Sequence, residues 1–206
     1  MHMSPQRPAR APLVELEPAE DKIIAAINFI VEESERRGLF VTQYDVVKTL
    51  FLADKNHLNT YGRPVIFDNY CAMEYGPVPS LAYNLLKGQT HRLRHHKVAR
   101  LPWDSRKAPE VNANASVYYN ATPNWGDDIL SESDTESLQD ALTTVKSLTF
   151  GQIKRLTHED PAYVEAWDPD VSVNNTMSYA LFFENPNPEQ AEIVSYLSHN
   201  RDSVSG

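Results

Sequence analysis

An acidic residue, Asp54, stands on what should be the buried face of a helix. The apolar residues of segment 42–61 recur at intervals of three, four and seven, which indicates a helix with one buried side. A buried carboxylate is costly unless it is hydrogen-bonded or paired. We therefore expect Asp54 to bind the backbone N–H groups of residues 75–78, Arg63 or the hydroxyl of Tyr75. The apolar residues of this face are Val47, Leu50, Phe51, Leu58 and Tyr61.

Two roles remain open for Asp54. It could fasten the predicted turn Gly76-Pro77-Val78-Pro79 to the helix, or it could be a catalytic or ligand-binding carboxylate, because perturbed carboxylates cluster at functional sites. The turn itself is stiff, since each proline fixes its own backbone and restricts the residue before it. Such a loop suits either a packing corner or a recognition edge.

A metal site can be drawn from histidines and carboxylates. Asp54 and His57 lie three residues apart, and His158-Glu159-Asp160 follows further along the chain. No Glu-x-x-His or His-Glu-x-x-His spacing accompanies them, and neither a phosphate loop nor a Gly-x-Ser-x-Gly motif is present. We therefore expect no metal, no other cofactor and no enzymatic activity, and a metal-dependent hydrolase is the weakest alternative.

A basic segment, residues 87–107, holds seven lysines and arginines and a single acid. Such a segment suits docking to an acidic protein surface or contact with nucleic acid. No helix-turn-helix, zinc-finger or RNA-binding signature accompanies it, so we expect its arginines and lysine to be exposed and to bind a protein. The candidate partner-binding residues are Arg63, Tyr75, Tyr83, Arg92, Arg94, Lys97 and Arg100.

The elements that position these residues follow from periodicity and capping. Thr42 with Asp45 predicts a capping box at the start of the helix that ends near Gly62. A short strand is predicted within 66–75 and a hairpin within 97–121. Further helices are predicted at about 21–37, 80–87, 131–147, 150–157, 162–166 and 188–198. The predicted fold is mainly α, a single compact helical domain with a small β-hairpin or short strands.

Composition bounds the class of protein. The chain has 206 residues, 41% of them hydrophobic, a net charge of −9 and one cysteine. Its longest apolar run, 23–31, is too short to span a membrane, and the N-terminus lacks the apolar core of a signal peptide. We therefore expect a soluble cytoplasmic protein that contacts no membrane. Four prolines within residues 1–20 predict a disordered leader, followed by a domain over 21–200 and a flexible tail over 201–206.

Three stretches closely resemble the Panacea domain of SocA-like antitoxins, a family also found in phage-associated proteins. They are 47–58 (VKTLFLADKNHL), 61–64 (YGRP) and 72–80 (AMEYGPVPS), and residues 156–159 with 166–167 resemble a second, weaker motif. The resemblance spans about residues 22–167. The motif residues are Asp54, His57, Tyr61, Gly62, Tyr75, Gly76, Pro77, Pro79, His158 and Trp167.

This resemblance implies a mainly helical domain that neutralises a cognate toxin by direct protein contact. Some members of the family act as adaptors that deliver the toxin to a protease, so a protease is a possible second partner. A DNA-binding regulator stays open as an alternative because of the basic segment. The resemblance does not imply which toxin is bound.

Overall fold

The computed structural model describes residues 10–95, 98–169 and 175–201. Over these ranges the mainly α fold is confirmed, and no helix is both long and apolar enough to cross a membrane. The helices are α1 (Glu20–Arg36), α2 (Gln43–Tyr61), α3 (Ser80–Leu86), α4 (Glu132–Ser147), α5 (Phe150–His158), α6 (Pro161–Ala166) and α7 (Pro188–His199), with 3-10 turns at Thr90–Arg92 and Tyr179–Leu181. The strands are β1 (Val41–Thr42), β2 (Tyr70–Met73), β3 (Gly76–Pro79), β4 (Asp104–Lys107), β5 (Ser116–Tyr119) and β6 (Asn175–Thr176).

Helix α2 has both of its predicted ends. The N–H of Asp45 donates to Thr42 Oγ1 over 3.2 Å, and the N–H of Thr42 donates to Asp45 Oδ2 over 2.8 Å. These two bonds form the predicted capping box and satisfy N–H groups that the helix leaves free. At the other end Gly62 has φ +78° and its N–H donates to Leu58 O, as a left-handed glycine cap does.

Helix α2 is the centre of the fold. Six consecutive residues, 46–51, are buried, so neighbouring elements surround this part of the helix. Its most extensive contact with another helix is with α4. Leu50 belongs to an apolar core shared with α1, α3 and α4, whereas Phe51 and Leu58 belong to a second core with α6 and α7. A residue on any side of this stretch is therefore inside the protein.

Two small antiparallel sheets flank the helices, in the orders β1-β5-β4 and β3-β2-β6. The predicted hairpin within 97–121 is confirmed as β4 and β5. The prediction that residues 76–79 form a turn is wrong, because they form strand β3, which pairs with β2. A strand at the edge of a sheet tolerates proline, since the missing N–H has no neighbour to bind on its open side.

The predicted leader is wrong over residues 10–19, which lie against the domain. Leu16 and Ala19 are each 1% exposed, and the N–H of Ala19 donates to Ile66 O over 3.1 Å. Asn69 accepts from the N–H of Leu16 and donates to its carbonyl. Prolines prevent a helix here, but an extended segment can still bury apolar side chains. Residues 1–9 and 202–206, which hold the rest of the leader and most of the tail, lie outside the described ranges.

Candidate protein-binding groove

A groove of about 610 Å³ opens beside the first turns of α2, between the β2–β3 hairpin, the start of α5 and residues 112–116. Its wall combines aromatic rings, a lysine and an acid. These side chains belong to Tyr44, Lys48, Glu74, Tyr75, Tyr83 and Phe150.

The ends of three elements bring the aromatic residues of the groove together. Met73 pairs with Gly76, so Glu74 and Tyr75 form the two-residue turn of the β2–β3 hairpin. A capping box at Thr149 starts α5 and places Phe150 in its first turn. The ring of Phe150 lies 4.8 Å from that of Tyr44 and 6.1 Å from that of Tyr75, measured between centroids. Local capping and a tight turn thus build a continuous aromatic edge.

This aromatic edge is open to solvent and bordered by cations. Tyr75 is 51% and Phe150 53% exposed. Lys154 Nζ lies 5.3 Å from the centroid of the Tyr75 ring, and Lys87 Nζ lies 3.7 Å from that of Tyr83. Aromatic rings that are half exposed and held by neighbours are the side chains that most often anchor protein interfaces.

Lys48 lies in the wall of the groove and was not singled out from the sequence. Its residue is 1% exposed, and its Nζ donates to Pro77 O over 2.7 Å. Burial lowers the pKa of Lys48 to about 7, because the charged amine loses its hydration. No local sequence pattern marks it, because a charged residue interrupts the apolar spacing that predicts a buried face.

The free energy of unfolding should depend on pH because the pKa of Lys48 is lowered in the folded chain. The free lysine titrates near 10.5, so between pH 7 and 10.5 the unfolded chain binds a proton that the folded chain lacks. Stability therefore rises with pH in this window. Relative to Lys48→Met, we expect the wild-type free energy of unfolding to rise by about 2 kcal/mol between pH 7 and 9.

Urea unfolding of both proteins at a series of pH values measures this difference, and subtraction removes the titration of every other group that the substitution leaves unperturbed. The neighbours of Lys48 are Tyr44 on its own helix, Pro77 on β3 and His158 on α5. A difference that stays flat from pH 7 to 9 would show that the amine remains hydrated and charged in the folded chain.

Gly76 permits the close approach of β3 to Lys48 and α5. Its φ is +101°, and a Cβ placed there would lie 2.7 Å from Thr157 Oγ1 and 2.8 Å from Lys48 Nζ. Both separations are too short for any side chain. Only glycine combines this backbone angle with this space, so the motif Gly76-Pro77 is fixed by the packing around Lys48.

The second motif packs against the first. His158 lies next to Gly76, and its ring centroid is 4.3 Å from that of Tyr163. Burial lowers the pKa of His158, and the charges of Lys154 and Lys48 lower it further. Tyr163 donates its hydroxyl to Met73 O over 2.9 Å and stacks on Trp167 at 5.8 Å. His158 and Trp167 thus support the hairpin that borders the groove.

Asp54 is fully buried, as its position on the helix predicted. Its predicted partners are wrong, because Oδ1 accepts the N–H groups of Val65 (2.8 Å) and Ile66 (3.0 Å) and Oδ2 accepts the hydroxyl of Tyr70 (3.0 Å). The carboxylate fastens the loop between α2 and β2, not residues 76–79. Burial raises the pKa of Asp54 to about 7, while these three hydrogen bonds oppose the rise.

A second buried carboxylate, Asp68, was missed in the sequence. It accepts the N–H groups of Leu81 (3.1 Å) and Ala82 (2.8 Å), which the first turn of α3 leaves free. Pro79 is the N-cap residue of this helix and has no side-chain acceptor to offer. Asp68, eleven residues before Pro79, supplies the missing acceptor, and no local sequence pattern shows this.

His57 and Arg63 contact α4 near the far end of α2, and Tyr61 lies beside His57. His57 Nδ1 donates to Arg63 O over 2.7 Å, and the ring of Tyr61 lies 4.5 Å from that of His57. Arg63 pairs with the buried Asp134 over 2.9 Å. Tyr61 is 51% exposed, so its assignment to the buried face is wrong; it lies beyond the surrounded stretch of the helix.

The suggested metal ligands are not brought together. Asp54 faces the 65–70 loop and His57 faces α4, while Asp160 pairs with Lys55 and caps α6. Over residues 10–95, 98–169 and 175–201, no group of three or more histidine, cysteine or acidic side chains is placed to hold a metal ion.

None of the described residues of the basic segment is in the groove's wall, although Lys87 lies over the ring of Tyr83, which is. Arg92, Arg94 and Arg100 are exposed, as expected. Arg100 pairs with Asp104 on the surface. Lys97 falls outside the described ranges.

These observations define a class: a mainly helical domain in which buried polar residues hold short β-elements beside an open aromatic groove. The chain matches the family model described as "Antitoxin SocA-like, Panacea domain" over residues 46–163. That match covers more than half of the chain, so the chain belongs to the SocA-like Panacea antitoxin family. No curated protein and no solved structure matches it.

Proposed function

We propose that this chain is the antitoxin of a toxin–antitoxin system and neutralises one cognate toxin in the cytoplasm by direct binding. The observation that carries the proposal is the family match over 46–163, which is named for an antitoxin. The match includes α2 from Val46 onward, the β2–β3 hairpin and the motif around His158, so most of the elements that build the groove are those of the family.

Contact rather than catalysis accounts for the character of the motif residues. Asp54 and His57 hold helix α2 to its surroundings, Gly62 ends that helix, and Gly76 and His158 hold the hairpin. Their interactions are therefore inside the chain, where they shape a surface. A surface needs no nucleophile or metal to inhibit a toxin; it needs anchors that a partner can cover.

Inhibition by this chain should be stoichiometric. Activity of the toxin, taken as the product of the neighbouring open reading frame, should fall linearly with added antitoxin and reach its minimum at one equivalent. The physical reason is that each toxin molecule must be occupied. Affinity capture of the antitoxin in denaturant, followed by refolding of the toxin, should restore activity.

Two outcomes would contradict this proposal. Loss of toxin activity at a small fraction of one equivalent would mean cleavage or modification of the toxin. A toxin that stops growth equally in cells with and without the antitoxin would also contradict the proposal. If instead the toxin disappears only in cells with an active protease, the chain acts as an adaptor.

A further inference from the structure

The buried amine of Lys48 has unused hydrogen-bonding capacity. An ammonium group has three N–H donors, and Lys48 uses one of them on Pro77 O. Among the described residues no carboxylate lies within ion-pair distance of Lys48. Glu74 is in the wall of the groove but is exposed on the hairpin turn. The chain therefore buries an amine whose protonation, near pH 7, leaves a cation without a counter-ion, and that charge is costly unless a partner supplies one.

A second donor without a partner lies beside Lys48. Tyr44 Oη is buried and makes no hydrogen bond within the described part of the chain. The Lys48 Nζ lies 5.3 Å from the centroid of the Tyr44 ring, and both residues are in the wall of the groove. A hydroxyl and an amine carried on adjacent turns of one helix can together serve the two oxygens of a carboxylate.

The surroundings of these donors favour an anion with apolar neighbours. Tyr75 and Phe150 present half-exposed rings at the mouth of the groove. Lys154 stands over Tyr75 and brings a positive charge to the rim, where the exposed Glu74 brings a negative one, so the amine of Lys48 is the group left without a counter-ion in the described part of the chain. The charge complement of this surface is an acidic group, and the shape complement is an apolar side chain that covers the rings.

We propose that the groove binds an acidic segment of the partner protein, with an Asp or Glu carboxylate bound to Lys48 and Tyr44 and an adjacent apolar side chain packed on Tyr75 and Phe150. This inference rests on the proposed function in one respect: the partner is the toxin. It assigns the main contact to the groove, and it gives the basic segment 87–107 a secondary role.

A peptide library tests the groove without any toxin. Random twelve-residue peptides displayed on phage are selected on the full-length chain, and the enriched peptides are synthesised and titrated by fluorescence anisotropy. We expect an Asp or Glu next to an apolar residue in these peptides. Affinity should fall at least tenfold in Lys48→Met and, separately, in Tyr75→Ala, while Arg92→Met should change it less than twofold.

The variants are chosen to keep the chain folded. Methionine fills the space of the lysine stem and removes a buried amine that has no counter-ion among the described residues, a change that proteins tolerate well. Tyr75 is half exposed, so its truncation leaves little cavity. Arg92 is an exposed cation outside the groove's wall, which makes it the control for lost net charge. Circular dichroism confirms that each variant is folded.

Three results would overturn the inference: no enrichment, enriched peptides without an acid, or affinities that fall with Arg92→Met and not with Lys48→Met. A parallel growth assay separates this inference from the proposed function. Neutralisation by Lys48→Met at the wild-type level would reject the groove and leave the antitoxin function in place. If the wild-type chain also fails to suppress the toxicity, the antitoxin function is rejected. The peptide affinities then still test whether the groove binds an acidic segment.

Discussion

Asp54→Ala is expected to lower the free energy of unfolding by about 3–4 kcal/mol, because it leaves two buried N–H groups and a buried hydroxyl without an acceptor. The donors are Val65, Ile66 and Tyr70, all of them in the loop and strand that follow α2. Urea denaturation followed by circular dichroism measures the change. Alanine is the best helix former, so the loss is not an effect of helix propensity.

Two variants separate the parts of this effect. Asp54→Asn keeps one carbonyl oxygen as an acceptor and should lose about half as much stability. Tyr70→Phe removes only the hydroxyl from the network and should lose about 1 kcal/mol. An Asp54→Ala protein with the denaturation midpoint of wild type would mean that the 65–66 loop does not depend on this carboxylate.

Gly76→Ala is the second large effect, with an expected loss of about 2–4 kcal/mol from backbone strain and overpacking. The φ of +101° is poorly accessible to alanine, and the new Cβ would meet Thr157 Oγ1 and Lys48 Nζ at less than 3 Å. Lys48 is the end of a long side chain, but its amine is buried and bound to Pro77 O, so moving it also breaks that bond.

Gly151→Ala is the matched control for this substitution. Gly151 lies in the first turn of α5, and nothing stands within 4 Å of a Cβ placed there. Alanine should leave the stability unchanged or raise it by about 0.5 kcal/mol. Truncating the clashing neighbour should relieve part of the strain, so Gly76→Ala with Thr157→Ala should lose less than the sum of the two. Strict additivity would show that the Cβ does not meet Thr157.

Much of the fold could be predicted from the sequence because its signals are local. The capping box at Thr42 and Asp45, the left-handed cap at Gly62 and the apolar spacing of α2 lie within one helix, and apart from Tyr61 each is found as predicted. The family could also be predicted, since the stretches around Asp54 and Gly76 stand in a fixed order along the chain, and the family match includes both.

The candidate site could be predicted only in part. The burial of Asp54 followed from its angle on the helix, whereas its partners did not, because Val65, Ile66 and Tyr70 reach it only after the chain turns back on itself. Lys48 was missed for a related reason. A lysine next to Val47 is normally at the edge of a buried face, and it is buried here because neighbouring elements surround α2.

The sequence by itself determined the helices of this protein, their caps and its family, since those depend on residues a few positions apart. Only the tertiary structure decided the rest: strand pairing turned the proline-rich segment 76–79 into β3, and packing of α5 against Gly76 closed the space around Lys48. Both depend on contacts between distant parts of the chain. Such contacts set which polar groups lose water, and the loss of water is what lowers the pKa of Lys48.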